Sequence, residues 1–149
     1  MELQLSVFVA AVATLLAAAV QQVHADMAAI QAVTKCAEDN KIKMETLMKG
    51  CEQTEVESEP GYKCFTKCVQ QVMGVMDDSG KFNPEKSAAF VAEEDKASTL
   101  DVTKACAVEA NAIADLCERA SAANVCMQKK NPEIYKKSCM AITEKMMST

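Results

Sequence analysis

The stretch GYKCFTKCVQQVMG, residues 61–74, places Cys64 and Cys68 one helical turn apart. Apolar residues recur at helical spacing from Phe65 to Met76, which predicts a helix over this part of the chain. Side chains four positions apart lie on the same side of a helix. Their sulfur atoms cannot bond each other without unwinding that turn. We therefore expect each cysteine to bond a different segment, as in a helical bundle braced by disulfides.

A metal or redox role for these cysteines is disfavoured. The one histidine, His24, lies in the amino-terminal segment, so a zinc site further along would need four thiolates in closely spaced pairs. The chain has one such pair, and it has no Cys-x-x-Cys motif of the redox kind. The turn DDSGKFNPEK, residues 77–86, has a glycine, Gly80, that could be the sixth residue of a calcium-binding loop. In that alignment Val75 and Lys86 would occupy the first and twelfth positions, where carboxylates are required. The sequence predicts no metal and no cofactor, and because the chain after His24 has no histidine and no nucleophile motif, it predicts no enzyme.

The amino terminus predicts export. Residues 3–20 are almost wholly apolar, and Val23-His24-Ala25 offers small residues at the signal-peptidase positions. We therefore interpret residues 1–25 as a signal peptide and residues 26–149 as one helical domain, secreted to the extracellular space. An uncleaved membrane anchor is the alternative, although 18 residues that include Gln, Ser and Thr are marginal for spanning a bilayer. No other stretch approaches that length, so stable membrane insertion is not expected.

Charge and cysteine parity agree with that location. The chain carries 16 basic and 21 acidic residues, a formal net charge of −5, which argues against nucleic acid as a partner. All eight cysteines follow residue 25. An even number in a small exported chain indicates disulfides, because the secretory route oxidises thiols.

Apolar periodicity and helix-start signals predict an all-α fold of six to seven helices. Glycine and proline are scarce, with 4 and 3 residues respectively. Asn83-Pro84 and Asn131-Pro132 each place a capping residue before a proline that suits the first helical turn. The predicted helices cover residues 27–39, 44–51, 61–76, 83–93, 101–117, 120–130 and 131–147, with polar connections at 53–60 and 93–100.

The cysteine spacing resembles that of insect odorant-binding proteins. The intervals Cys36–x27–Cys64–x3–Cys68–x37–Cys106–x10–Cys117–x8–Cys126 carry the resemblance, the x3 and x8 intervals most specifically. The resemblance implies a compact bundle around an apolar cavity, with disulfides Cys36–Cys68, Cys64–Cys117 and Cys106–Cys126. Cys51 and Cys139 depart from the family pattern. With the other six paired as the resemblance implies, we expect these two to bond each other.

The resemblance also implies a function: a secreted carrier that binds odorants, pheromones or fatty-acid-like molecules in its cavity, as a monomer or weak dimer. A membrane receptor is a candidate second partner. The alternatives are an extracellular interaction or defence protein, and a scavenger of small amines on the same fold. From the inward faces of the predicted helices we expect the cavity wall to contain nine residues: Met44, Leu47, Met48, Val72, Met73, Met76, Phe90, Met127 and Tyr135.

A pH response, if the carrier has one, must come from carboxylates, because the domain after residue 25 has no histidine. The sequence indicates Glu133 and Glu144, at the predicted last helix and its loop, along with the acidic run 93–95. Tyr135 is the candidate polar group of an otherwise apolar site, with either a ligand or a backbone carbonyl as the partner of its hydroxyl.

Overall fold

The computed structural model describes residues 27–148, so the predicted signal peptide lies outside the described part of the chain. Within that part the chain forms seven α-helices and no β-strand, which confirms the all-α fold class. The helices are α1 at residues 27–39, α2 Met44–Gly50, α3 Tyr62–Val72, α4 Pro84–Ala88, α5 Lys96–Ala110, α6 Leu116–Lys130 and α7 Pro132–Met147. Two short 3-10 helices, Thr54–Ser58 and Glu93–Asp95, lie in the connections.

Local signals in the sequence start several of these helices. The Asn83 side chain accepts a hydrogen bond from the Lys86 backbone N–H at 3.1 Å, and Pro84 follows it at the start of α4. The Asp115 carboxylate accepts from the Glu118 N–H at 2.9 Å and so caps α6. Each cap satisfies a backbone donor that the first turn of a helix leaves without an intrahelical partner.

Three helix boundaries differ from the sequence prediction. Helix α3 ends at Val72 rather than residue 76, because the chain turns at Gly74, whose φ is +69°, and the Gln70 carbonyl accepts the N–H of Val75. Helix α4 ends at Ala88 rather than residue 93. Helix α5 begins at residue 96, inside the segment predicted to be a loop.

The predicted single helix over residues 101–117 is wrong. Helix α5 ends at Ala110, and the Asp115 cap starts a new helix, so Cys117 belongs to α6 and not to the helix that carries Cys106. The polar connection 53–60 is also not a plain loop. It contains a 3-10 helix in which Val56 and Glu57 are buried.

Four disulfides brace the bundle: the three pairs that the resemblance implies and the remaining pair, Cys51–Cys139. Cys36–Cys68 joins α1 to α3, Cys64–Cys117 joins α3 to α6, and Cys106–Cys126 joins α5 to α6. Cys51–Cys139 joins the end of α2 to α7. No cysteine in the described chain is free. The four bonds thus connect every described helix except α4 to another helix.

The buried apolar side chains form two clusters. One contains Val75, Met76, Phe82, Ala107, Ala110, Ala120 and Ala123, and the other contains Cys36, Ala37, Leu47, Val56, Tyr62 and Phe65. Small alanine side chains in the first cluster allow α5 and α6 to approach closely, where Cys106–Cys126 bonds them. Among residues 27–148, no helix is long and apolar enough to cross a membrane.

Candidate functional site

A cavity of about 210 Å³ lies inside the bundle, and all seven helices contribute to its wall. Its described lining consists of Val33, Leu47, Tyr62, Phe65, Thr66, Val69, Gln70, Met73, Val75, Ser87, Phe90, Val91, Thr99, Val102, Thr103, Asn124, Met127, Asn131, Ile134, Tyr135, Ser138, Cys139, Ile142, Thr143 and Met146. An apolar protein cavity of about 150 Å³ can hold benzene. This cavity therefore has room for a somewhat larger organic molecule.

Five of the nine residues predicted for the wall line the cavity: Leu47, Met73, Phe90, Met127 and Tyr135. They come from α2, the end of α3, the segment after α4, α6 and α7. Residues far apart in the sequence thus converge on one space, as expected of inward faces in a helical bundle.

The other four predicted wall residues lie elsewhere. Met48 and Val72 are surface residues with 40% and 45% of their area exposed. Met76 is 1% exposed but belongs to the cluster with Phe82, because the turn at Gly74 takes it off the inner face of α3. Met44 packs against the cluster around Leu47 and does not reach the cavity.

The largest group of wall residues that the sequence prediction missed belongs to α7. Ile134, Ser138, Ile142 and Met146 line the cavity together with Tyr135. A signal for them was present, since Ile142 and Met146 lie on the same apolar stripe as Tyr135 at helical spacing. Gln70 and Thr99 gave no comparable signal, because single polar residues in an amphipathic helix usually face solvent.

The wall carries no fixed charge. None of its described residues is Asp, Glu, Lys, Arg or His. Its two tyrosines are neutral at physiological pH, since burial raises the pKa of Tyr135 to about 12 and also raises the pKa of Tyr62. An ion entering this space would lose its hydration without gaining an opposite charge, which is costly. The geometry therefore suits neutral ligands.

Tyr135 has a protein partner, which is neither of the two partners considered from the sequence. Its hydroxyl oxygen accepts a hydrogen bond from the side-chain nitrogen of Asn124 at 2.9 Å. The same Asn124 nitrogen donates to Glu57 Oε1 at 2.8 Å. Asn124 thus fixes the ring of Tyr135 in the wall and connects the cavity to a buried carboxylate behind it.

Glu57 is that carboxylate, and no pattern in the sequence indicated that it would be buried. It is 7% exposed, and Ser121 Oγ donates to its Oε2 at 2.5 Å. Burial raises the pKa of Glu57, and the hydrogen bonds from Ser121 and Asn124 partly oppose that change. Its partners lie 64 and 67 positions away in the chain, so no local pattern could show that it would be buried.

Helix α7 is held on the cavity by a covalent bond and by polar contacts. Cys139, bonded to Cys51, is itself part of the wall. Thr143, 3% exposed, donates to the Cys139 carbonyl at 2.9 Å and lies 3.6 Å from the Cys51 sulfur. At the surface, Lys136 pairs with Glu52 at 2.6 Å, a contact that solvent screens. The disulfide is the strongest of these constraints.

No group of three or more His, Cys, Asp or Glu residues that could hold a metal ion occurs among residues 27–148. The acidic turn at residues 77–81 has a structural explanation. Asp77 Oδ1 accepts from the backbone N–H groups of Ser79 and Lys81, both at 2.9 Å, and from the Ser79 hydroxyl at 2.6 Å. These bonds lower the pKa of Asp77, and the bond from the Ser79 hydroxyl has the largest effect.

The chain is similar to known proteins in sequence and in fold. A model of the PBP/GOBP family matches residues 17–130, which is more than half of the chain. The search of curated proteins gives no match. Among solved structures, an odorant-binding protein of Locusta migratoria superposes with a TM-score of 0.64 at 22% identity, covering 81% of this chain and 92% of that chain. At that identity the likeness shows a shared fold.

Proposed function

This chain belongs to the PBP/GOBP family, and from that membership we propose that it is a secreted carrier of small, neutral, apolar molecules. The observation that carries the proposal is the cavity of about 210 Å³, whose described wall is mostly apolar and has no charged residue. Sequestration there is driven by the transfer of apolar surface out of water. Each buried CH₂ group of a ligand contributes about 0.8 kcal/mol.

Methionine makes the wall tolerant of ligand shape. Met73, Met127 and Met146 line the cavity, and their unbranched side chains can adopt several conformations around different ligands. This supports a carrier for a range of odorants or pheromones of similar size over a site built for one rigid compound.

The absence of charge from the described wall favours neutral ligands over charged ones. A small amine would enter as an ammonium ion and a fatty acid as a carboxylate, and neither would meet an opposite charge. Glu57, the nearest buried carboxylate described above, is bonded to Ser121 and Asn124 and does not line the cavity. We therefore favour neutral ligands over the amine scavenger that shares this fold.

Secretion is part of the proposal. The predicted signal peptide at residues 1–25 and the four disulfides support an oxidising, extracellular location. Mass spectrometry of protein exported by a eukaryotic cell is expected to find Asp26 as the first residue. A chain that starts at Met1 and stays with the membrane fraction would contradict it. We also propose that the carrier has a membrane receptor as a second partner and that it is a monomer or a weak dimer.

The test of binding uses ¹³C-methyl resonances of the methionines, so that three reporters lie in the cavity wall. We expect heptane to shift the Met73, Met127 and Met146 resonances saturably, and the hexylammonium and hexanoate ions at neutral pH to bind at least ten-fold more weakly. Stronger binding of hexylammonium would instead support the amine scavenger. If none of the three ligands gives saturable shifts, the carrier function is contradicted and an interaction or defence protein is favoured.

A matched pair of variants on α5 locates the binding. Val102 lines the cavity, whereas Val108 is 75% exposed on the same helix. Val102→Phe fills part of the cavity and should weaken heptane binding at least ten-fold, while Val108→Phe should leave it unchanged. Equal effects of the two substitutions would place the ligand elsewhere.

A further inference from the structure

Gln70 carries a buried oxygen without a hydrogen-bond partner. The residue lies on α3, is 6% exposed and lines the cavity. Within the described chain no donor reaches its side-chain oxygen, Oε1. A buried acceptor left without a partner is destabilising, so such an atom in a ligand cavity calls for an explanation.

The orientation of this amide is fixed by its other end. Gln70 Nε2 donates to the backbone carbonyl of Ala120, on α6, at 3.1 Å. A carbonyl oxygen can only accept, so the nitrogen of the amide must face Ala120 and the oxygen must face away from it. The contact between α3 and α6 therefore leaves the oxygen of Gln70, an acceptor, without a protein partner and able to bind a ligand.

Several other polar groups of the wall have partners within the protein. Thr103 Oγ1 contacts Ser87 Oγ at 3.2 Å, Asn124 donates to Glu57 and Tyr135, and Thr143 donates to a backbone carbonyl. Thr99 Oγ1 is buried without a partner as well, but a hydroxyl can both donate and accept and so does not select one ligand chemistry. The amide oxygen of Gln70 accepts only, and it does select.

We propose that Gln70 makes the carrier selective for neutral ligands with an O–H donor, such as aliphatic alcohols, over ethers and hydrocarbons of the same size. The ligand hydroxyl donates to Gln70 Oε1 while its chain occupies the apolar remainder of the cavity. The oxygen of an ether can only accept a hydrogen bond, so it cannot donate to Gln70 Oε1, which then stays without a partner. This inference rests on the proposed carrier function and adds the ligand class to it.

Three ligands with equal numbers of heavy atoms test the selectivity: 1-hexanol, methyl pentyl ether and heptane. Their dissociation constants for the wild-type protein come from the same methionine methyl resonances. One hydrogen bond contributes about 0.5–1.5 kcal/mol, so we expect 1-hexanol to bind roughly 2- to 13-fold more tightly than the ether. Equal affinities for the three ligands would overturn the selectivity and leave the carrier function standing, whereas binding by none would remove both.

Gln70→Met removes the amide while nearly preserving the length of the side chain. The variant should bind 1-hexanol and the ether with equal affinity and should bind heptane at least as tightly as the wild type. Two controls accompany it. Tyr135→Phe removes a different polar group of the wall, and Met73→Leu changes the wall without changing its polarity; both should keep the preference for the alcohol. A preference that survives in Gln70→Met but is lost in Tyr135→Phe would overturn the assignment.

A measurement on the wild-type protein makes the test independent of whether the variant folds. The side-chain ¹⁵N–H₂ resonances of Gln70 report directly on its amide group. Binding of 1-hexanol should shift them, because a new bond to Oε1 polarises the amide, and binding of the ether should leave them nearly unmoved. Identical shifts from both ligands would show that Oε1 does not distinguish them.

Discussion

At the scale of single residues, Glu57 should make the stability of the protein depend on pH. Burial raises its folded pKa above the ordinary value of 4.5, so between those two pKa values the folded state binds more protons than the unfolded state. The free energy of unfolding therefore falls as pH rises through this window. The Glu57 contribution is most favourable below 4.5 and least favourable above the folded pKa.

Glu57→Gln should remove this slope. A glutamine can still accept from Asn124 and occupy the same space, but it has no charge to bury. Urea unfolding at a series of pH values from about 4 to 8 measures the effect, and the stability of the variant relative to the wild type should increase as pH rises. Glu55→Gln, an exposed position in the same 3-10 helix, is the control and should follow the wild type. Parallel curves for wild type and Glu57→Gln would contradict the prediction.

The acidic residues indicated by the sequence and the one found by the structure differ for a physical reason. The sequence indicates Glu133 and Glu144 by their position at the last helix and the run 93–95 by its acidic composition, and both criteria are local. Glu57 lies in a connection that is polar in the sequence, and it is buried because Ser121 and Asn124 pack against it. Contacts between residues so far apart in the chain do not leave a local signature.

At the scale of helices, the sequence predicted their existence better than their ends. Apolar periodicity predicted a helix overlapping each of the segments that α1 to α7 occupy, but it put the break between α5 and α6 after residue 117, whereas α5 ends at Ala110. The signal for that break was present: Asp115 followed three positions later by Glu118 is a helix-start pattern. The early start of α5 at Lys96 had no such signal, because residues 93–100 are mostly polar and show no apolar stripe.

Helix α2 and helix α3 touch at a position that requires glycine. A Cβ atom on Gly50 would lie 1.8 Å from the hydroxyl oxygen of Tyr62, which is 4% exposed and packed against Phe65 at 5.5 Å between ring centroids. Alanine usually stabilises a helix by about 0.5–1 kcal/mol relative to glycine. Here the steric conflict should outweigh that gain.

Gly50→Ala should therefore destabilise the fold by about 1–3 kcal/mol, as overpacking of a core does. It should also weaken ligand binding, because Tyr62 lines the cavity and must shift. Thermal and urea unfolding measure the first effect, and the methionine resonances measure the second. Adding Tyr62→Phe removes the closest atom and should recover part of the stability. A Gly50→Ala protein more stable than the wild type would show that the two helices do not meet as described.

At the scale of the whole molecule, Cys51–Cys139 closes the longest loop in the described chain, with a sequence separation of 88. In the loop-entropy model a closure of that length stabilises the folded state by roughly 4–5 kcal/mol. Changing both cysteines to serine should lower the free energy of unfolding by up to that amount. It should also raise the dissociation constant for heptane, because Cys139 is part of the wall and α7 gains freedom.

The matched control for that experiment is the Cys106–Cys126 pair, with a separation of 20, neither member of which lines the cavity. Its removal should cost less stability, since a shorter loop is closed, and should affect ligand binding less. Hydrogen exchange can then localise the change: faster exchange confined to α7 is expected for the Cys51/Cys139 variant. Unchanged exchange in α7 would show that non-covalent packing alone holds this helix.

The order of the disulfides along the chain has a consequence for proteolysis. The four loops span residues 36–68, 51–139, 64–117 and 106–126, and together they cover every peptide bond between Cys36 and Cys139. A single cut by a protease anywhere in that interval leaves both fragments covalently joined. On a gel, nicked protein should migrate as one band until a reductant is added. A single cut within that interval would thus remove no part of the cavity wall.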